Sequence, residues 1–169
     1  MRFINTRFDP DTTRLHDIAK DMAAAFGYTA ELSLNRGLAQ LVRLRVAQLN
    51  PCSYCLILHT EAAHEAGVSA AKVAHLASWR ESTLFTAGEA AALAYAETLT
   101  VFDQPAFVDA HSGMSKLFDD QGIAEVASVV INMNVWTRLK LAQGATPIED
   151  PPSRERPPSA EGEGSRPHR

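Results

Sequence analysis

Residues 122–142 carry large apolar side chains on every side of a would-be helix: Ile123, Val126, Val129, Val130, Ile131, Val135, Trp136 and Leu139. A helix without a polar face has to be wrapped by other elements, in a domain centre or in a subunit interface. Asn132 and Asn134 interrupt the run, and buried amides need hydrogen-bond partners, here expected across an interface. No apolar run reaches the roughly 18 residues of a membrane span, so the wrapping has to come from protein.

The rest of the chain supplies helices for it. Leu38, Leu41, Val42, Val46 and Leu49 form an apolar stripe at helical spacing over residues 36–49. A first helix is expected from Asp11 or Thr12 to Phe26, closed by Gly27. Asn50-Pro51 reads as a cap followed by a first-turn proline, which starts a third helix with Cys52 in its first turn and an end near Gly67. Ser69 caps a short helix through about Ser78, and Thr86-Ala87-Gly88-Glu89 is a capping box for residues 87–100. Pro105 opens a helix to about Lys116. Sustained polar–apolar alternation with hairpin turns is missing, so no strands are expected. The fold class is therefore all-α, a bundle of about six to seven helices in one domain over residues 1–146. Residues 147–169 hold six of the nine prolines and almost no large apolar side chain, a composition expected to stay disordered.

Sixteen Lys and Arg against twenty Asp and Glu give a net charge of −4 with no basic cluster, which argues against a nucleic-acid surface. The start, Met1-Arg2-Phe3-Ile4-Asn5, lacks the apolar stretch of a secretory signal, and a cytoplasmic location is expected. In that compartment a close cysteine pair is redox-active or metal-binding more often than a permanent staple.

Such a pair stands at Cys52-Ser53-Tyr54-Cys55, with His59 four residues beyond Cys55. On a helix, positions i, i+3 and i+7 share a face, so both thiols and the imidazole fall on one patch. A thiolate is the nucleophile toward a peroxide or a disulfide, and an ordinary thiol near pKa 8.5 is only a few per cent ionised at neutral pH. A helix N-terminus favours the anion at Cys52, whereas a histidine one turn away favours it at Cys55. The dipole is worth about 0.3–1 kcal/mol, less than a base that takes the proton outright, so Cys55 is the expected nucleophile. Structural zinc needs four ligands and the patch supplies three, with His64 on another side of the helix. Tyr54 is placed to donate to a peroxide oxygen or to cover the thiols. Trp79-Arg80-Glu81-Ser82 reads as a packed tryptophan with a local ion pair, or as a pocket wall. His16, His75 and His111 read as solvated or capping residues.

The segment Leu41 to His59, ending Asn-Pro-Cys-Ser-Tyr-Cys-Leu-Ile-Leu-His, resembles the core of the alkylhydroperoxidase AhpD-like proteins of the carboxymuconolactone decarboxylase family. The resemblance runs over roughly residues 10–145, through Ala77–Phe85, Glu89–Thr100 and Asn132–Leu139. It implies an AhpD-like helical bundle that assembles as a homo-oligomer, as trimers or hexamers. It also implies a thiol-dependent peroxidase acting on organic hydroperoxides or hydrogen peroxide. In that pattern Cys55 is the peroxidatic cysteine, Cys52 the resolving one, and His59 part of a proton relay. An external dithiol, of thioredoxin or lipoyl type, would restore the pair, and no metal or organic cofactor is required. Two positions depart from the pattern. Gln40 stands where the relay's glutamate is expected, and Tyr54 where a histidine lies between the cysteines. Glutamine can orient His59 but cannot take its proton, so Glu61, Glu65 and Glu81 become candidate replacements. The alternatives are a redox sensor or binding module whose disulfide state controls assembly, and a decarboxylase-type enzyme. The intact cysteine pair argues against the latter, because that branch does not depend on one.

Overall fold

The computed structural model describes residues 1–28 and 31–149. Of the segment expected to be disordered, 147–169, residues 150–169 lie outside the described residues. The described residues fold as an all-α bundle of seven α-helices, α1 (Arg14–Ala25), α2 (Arg36–Leu49), α3 (Ser53–Glu65), α4 (Ala70–Ala74), α5 (Ala87–Thr100), α6 (Gln104–Met114) and α7 (Asp120–Gln143).

The long apolar helix is central, as its composition demands. Val126, Val129 and Val130 of α7 are fully buried against Val42 and Val46 of α2 and Ala92 and Ala96 of α5. The opposite side of α2 fills a second cluster, where Leu41 and Leu44 meet Leu76, Trp79 and Leu93. α2 is thus buried on two sides and gives a rigid backing to whatever α3 presents. The asparagines of α7 find partners inside the chain: Asn134 accepts from Asn50 Nδ2 at 3.0 Å and donates to Thr100 Oγ1 at 3.2 Å. Asn132 donates to the Phe26 carbonyl at 3.4 Å.

Most boundaries follow local chemistry. The Thr86–Glu89 capping box is formed with both bonds in place, and α5 covers Ala87–Thr100. The α4 region is shorter than expected: the α-helix stops at Ala74, and a 3₁₀ segment, Leu76–Glu81, kinks at Ser78. There Trp79 Nε1 donates to Glu97 Oε1 at 2.8 Å, and Arg80 stacks on the indole at 4.2 Å while pairing with the same carboxylate at 2.6 Å. Arg45 completes this cluster at 2.6 Å, which makes Trp79 a packed residue with a local ion pair.

Two short strands were not anticipated. β1 (Arg2–Asn5) and β2 (Ala145–Ile148) pair antiparallel, with Arg2 opposite Ile148 and Asn5 opposite Ala145. Neither shows the alternation of a half-buried strand, and the pairing joins the two ends of the domain, which no local pattern encodes. β2 takes in Pro147 and Ile148, two residues assigned to the tail by composition. Gly144 turns the chain from α7 into β2 at φ +69°, where a β-carbon would overlap Thr6 Oγ1. The strands bring Phe3 onto Tyr54, ring centroids 4.5 Å apart, beside the cysteine pair.

Candidate functional site

Asn50 closes α2 instead of opening α3: its N–H donates to the Val46 carbonyl at 3.1 Å. The Cys52 N–H continues that turn by donating to Ala47 at 3.2 Å, so Cys52 becomes the N-cap of α3 and not a first-turn residue. In that role its Sγ accepts from the Cys55 N–H at 3.4 Å, the place a serine or aspartate oxygen usually takes. The two sulfurs lie 2.8 Å apart, both free thiols and both buried, at 1% and 2% exposure.

This arrangement splits acidity from access. The Cys55 S–H donates to Cys52, and this bond, against burial and with help from the Cys55 N–H and the Lys140 charge, lowers the Cys52 pKa to about 7. The same bond, then burial and the Cys52 charge, push the Cys55 thiol upward. Two thiols this close cannot both ionise, so they titrate as a pair that carries one charge. Cys55, not Cys52, lines the adjoining cavity of about 390 Å³.

Tyr28, Tyr54, Leu58, Met133 and Trp136 give that cavity an apolar wall. His59 also lines it, 3% exposed. Its Nδ1 lies 3.0 Å from Gln40 Oε1. An amide oxygen only accepts, so Nδ1 carries the proton and Nε2 is left as the acceptor. Burial first, and the Arg43 charge second, push the His59 pKa down to about 3. The imidazole is therefore neutral at any ordinary pH. Arg43, itself buried, donates to the Gly27 carbonyl at 2.9 Å and lies over Tyr28, whose ring meets His59 edge-on at 5.6 Å. Among the described residues no carboxylate bonds to His59, and no hydrogen bond joins it to either sulfur. Glu61, Glu65 and Glu81 are all exposed. Among the described residues no three His, Cys, Asp or Glu side chains converge on a metal position.

The sequence reading brought Cys52, Cys55, His59, Gln40 and Tyr54 forward, and these five do gather here. It passed over the other side of the cavity. His16, read as solvated or capping, is 9% exposed, lines the cavity and meets Trp136 edge-on at 5.5 Å. Lys140 lies over both Tyr54 (4.5 Å) and Trp136 (5.6 Å). Burial lowers its pKa, and the two cysteines oppose that. The signal was there in part: His16, Lys20 and Ala23 fall on one face of α1, and Met133, Trp136 and Lys140 on one face of α7. Nothing local says that these faces meet over α3.

Fold and site together define an all-helical protein with a dithiol at a helix start beneath an apolar cavity. The carboxymuconolactone decarboxylase family model matches residues 17–98, so the chain is similar to that family over this stretch, and its fold is AhpD-like. Over 118 residues it is 27% identical to the uncharacterized protein YdfG of Bacillus subtilis, covering 69% of this chain and 80% of that one. It is 32% identical over 103 residues to the uncharacterized protein YnjA of Escherichia coli, covering 60% and 56%. Among solved structures it is similar to ATU0492 from Agrobacterium tumefaciens, a protein of unknown function provisionally assigned to AhpD antioxidant defence. That match has a TM-score of 0.77 and 22% identity, covering 85% of this chain and 99% of that one. A peroxidase-related protein from Silicibacter sp. TM1040, itself uncharacterized, matches with a TM-score of 0.63 and 19% identity, covering 79% and 70%. The likeness to the solved structures shows the fold. Among the described residues no helix is long and apolar enough to cross a membrane.

Proposed function

We propose that the chain reduces hydroperoxides through its cysteine pair, with Cys55 as nucleophile and Cys52 as both its base and its resolving partner. The observation that carries this is the pair itself: two free sulfurs 2.8 Å apart, only one of which reaches the cavity. In the resting monoanion the proton sits on Cys55. It passes to Cys52 as a peroxide arrives. Cys55 thiolate attacks the terminal peroxide oxygen, the O–O bond breaks, and a sulfenic acid forms. The leaving alkoxide takes the Cys52 proton and departs as the alcohol. Cys52 thiolate then attacks the Cys55 sulfur and expels hydroxide, which a solvent proton converts to water. The sulfurs are oxidised by two electrons and the peroxide reduced by two. An external dithiol of thioredoxin or lipoyl type restores both thiols by exchange.

The test is a thiol count before and after one equivalent of an organic hydroperoxide. Loss of both thiols with one alcohol formed is expected, Cys52→Ser, which lacks the base as well as the resolving thiol, should react more slowly and stop at a trappable sulfenic acid, and Cys55→Ser should leave the peroxide intact. Retention of both thiols in the unaltered protein would sink the reading. Homo-oligomeric assembly is part of this proposal and is supported by exposed Val101, Phe102 and Val108. Sedimentation should show a species larger than one chain.

A second reading, a redox sensor without turnover, draws on the neutral His59 and its amide partner. Stoichiometric oxidation with no cycling under excess dithiol would select it.

A further inference from the structure

The cavity above Cys55 has chemistry that peroxide reduction does not use. Its wall is apolar, yet it carries two lysines and no carboxylate among the described residues. Lys140 makes no ion pair or hydrogen bond among the described residues and lies over the rings of Tyr54 and Trp136. Lys20 lines the same cavity, 55% exposed, with Asp17 at 3.7 Å as its one ionic partner among the described residues. Trp136 Nε1 is buried without a hydrogen-bond acceptor, and so is His16 Nδ1, which lies 3.3 Å from Asp11 Oδ1 but out of hydrogen-bonding alignment. No acidic side chain among the described residues lines the cavity.

Buried donors and desolvated cations are costly unless something accepts from them. One thiolate can balance one ammonium. It lies at Cys52, which does not line the cavity; Asp11 acts on Lys140 and Asp17 on Lys20 from outside it, so inside the cavity neither ammonium has a carboxylate to meet. A ligand with an apolar body and one carboxylate satisfies both sets of groups. Its ring or branched chain would lie against Tyr28, Leu58, Met133 and the Trp136 ring, and its carboxylate would accept from Lys140 and Lys20. At about 390 Å³ the cavity is of small-ligand size.

We propose that this cavity selects small carboxylate-bearing apolar molecules, so that the preferred peroxide is an anionic organic hydroperoxide and not a neutral one. The substrate statement rests on the reading of Cys55 as the peroxide-facing thiol, whereas the binding statement does not.

The two are separated by measuring binding and turnover on matched pairs. For binding, para-isopropylbenzoate is compared with para-isopropylbenzamide by tryptophan fluorescence. Trp136 lines the cavity, and Trp79, the other tryptophan, is packed in the second core cluster. The carboxylate should bind about tenfold more tightly, as expected for one charge-assisted contact at a half-buried site. The gap should close to about twofold in the Lys20→Gln/Lys140→Gln double variant and persist in Lys140→Arg. Equal affinity for the two probes, no binding of either, or a preference unchanged in the double variant overturns the inference. For turnover, cumene hydroperoxide is compared with its para-carboxylate, and a lower KM is expected for the latter. A carboxylate preference in binding with neither hydroperoxide reduced would overturn the peroxidase reading and leave the cavity's selectivity standing.

Discussion

Replacing Cys55 with alanine isolates what makes Cys52 acidic. The S–H of Cys55 is the largest of the influences that bring Cys52 down to about 7. Its removal leaves burial, which raises the pKa, against the Cys55 N–H and the Lys140 charge, which lower it. Cys52 should then return toward the ordinary thiol value of about 8.5. A shift of about 1.5 units is about 2 kcal/mol in thiolate stability. At pH 7 the ionised fraction should fall from about one half to about 3%, roughly fifteenfold. Far-ultraviolet thiolate absorbance followed through a pH titration reads this without requiring a reagent to reach a sulfur that is 1% exposed. The unaltered protein should show one thiolate forming near pH 7 and the second withheld far into the alkaline range. A Cys55→Ala protein that still titrates near 7 would refute the reasoning, because the helix start and Lys140 alone would then account for the acidity.

Lys140→Gln should move the first thiolate step of the pair to higher pH, and Lys140→Arg should restore it, in the same absorbance titration. Because His59 is held neutral down to about 3 while an unfolded histidine takes its proton near 6.5, stability is complete above pH 6.5 and is lost as pH falls toward 3. Denaturant unfolding should find about 2.5 kcal/mol lost to this group between pH 7 and pH 4.5, and clearly less acid sensitivity in His59→Gln. Gln40→Glu puts a carboxylate at the position 3.0 Å from His59 Nδ1 and should raise the imidazole pKa, read by NMR; an unchanged titration counts against the placement of these two side chains. Gly27→Ala should lower unfolding stability by about 3 kcal/mol, since φ is +114° and the added Cβ would lie 2.6 Å from Asn132 Cβ.

How much of this was readable in advance depends on the range of the information. The α5 boundaries follow from Thr86 and Glu89, three residues apart, and the centrality of α7 follows from its own composition. Both are local facts. The start of α3 was misplaced by two residues, because Asn50-Pro51 satisfies the rules for a helix start equally well when it closes the helix before. Which applies is decided by the Cys52 N–H reaching back to Ala47, a tertiary choice. The strands are beyond local reading altogether, since Arg2 meets Ile148 only after the helices between them have packed. The candidate site divides the same way. Cys52, Cys55 and His59 lie within eight residues, and helical spacing alone puts them on one face. Lys140, Trp136 and His16 come from opposite ends of the chain, and only the packing of α1 and α7 over α3 brings them to the cavity.

The electrostatics of His59 bear most directly on mechanism. A histidine can activate a thiol only if it can hold the proton it removes. Here burial and the Arg43 charge both oppose the imidazolium, and its Nδ1 partner is an amide that cannot share the charge. The sulfur of Cys52 has the opposite setting: a thiol donor at 2.8 Å, a helix-start N–H at 3.4 Å and the Lys140 ammonium. Negative charge is therefore stabilised on the sulfur at the helix start and positive charge is excluded from the imidazole. In the proposed mechanism the base for Cys55 is then the second thiol, without any carboxylate relay. On that account the glutamine at position 40 is a consistent part of the site: it fixes the His59 tautomer with Nε2 as acceptor, free to receive a hydrogen bond from a peroxide or an alcohol, and leaves proton storage to the cysteines.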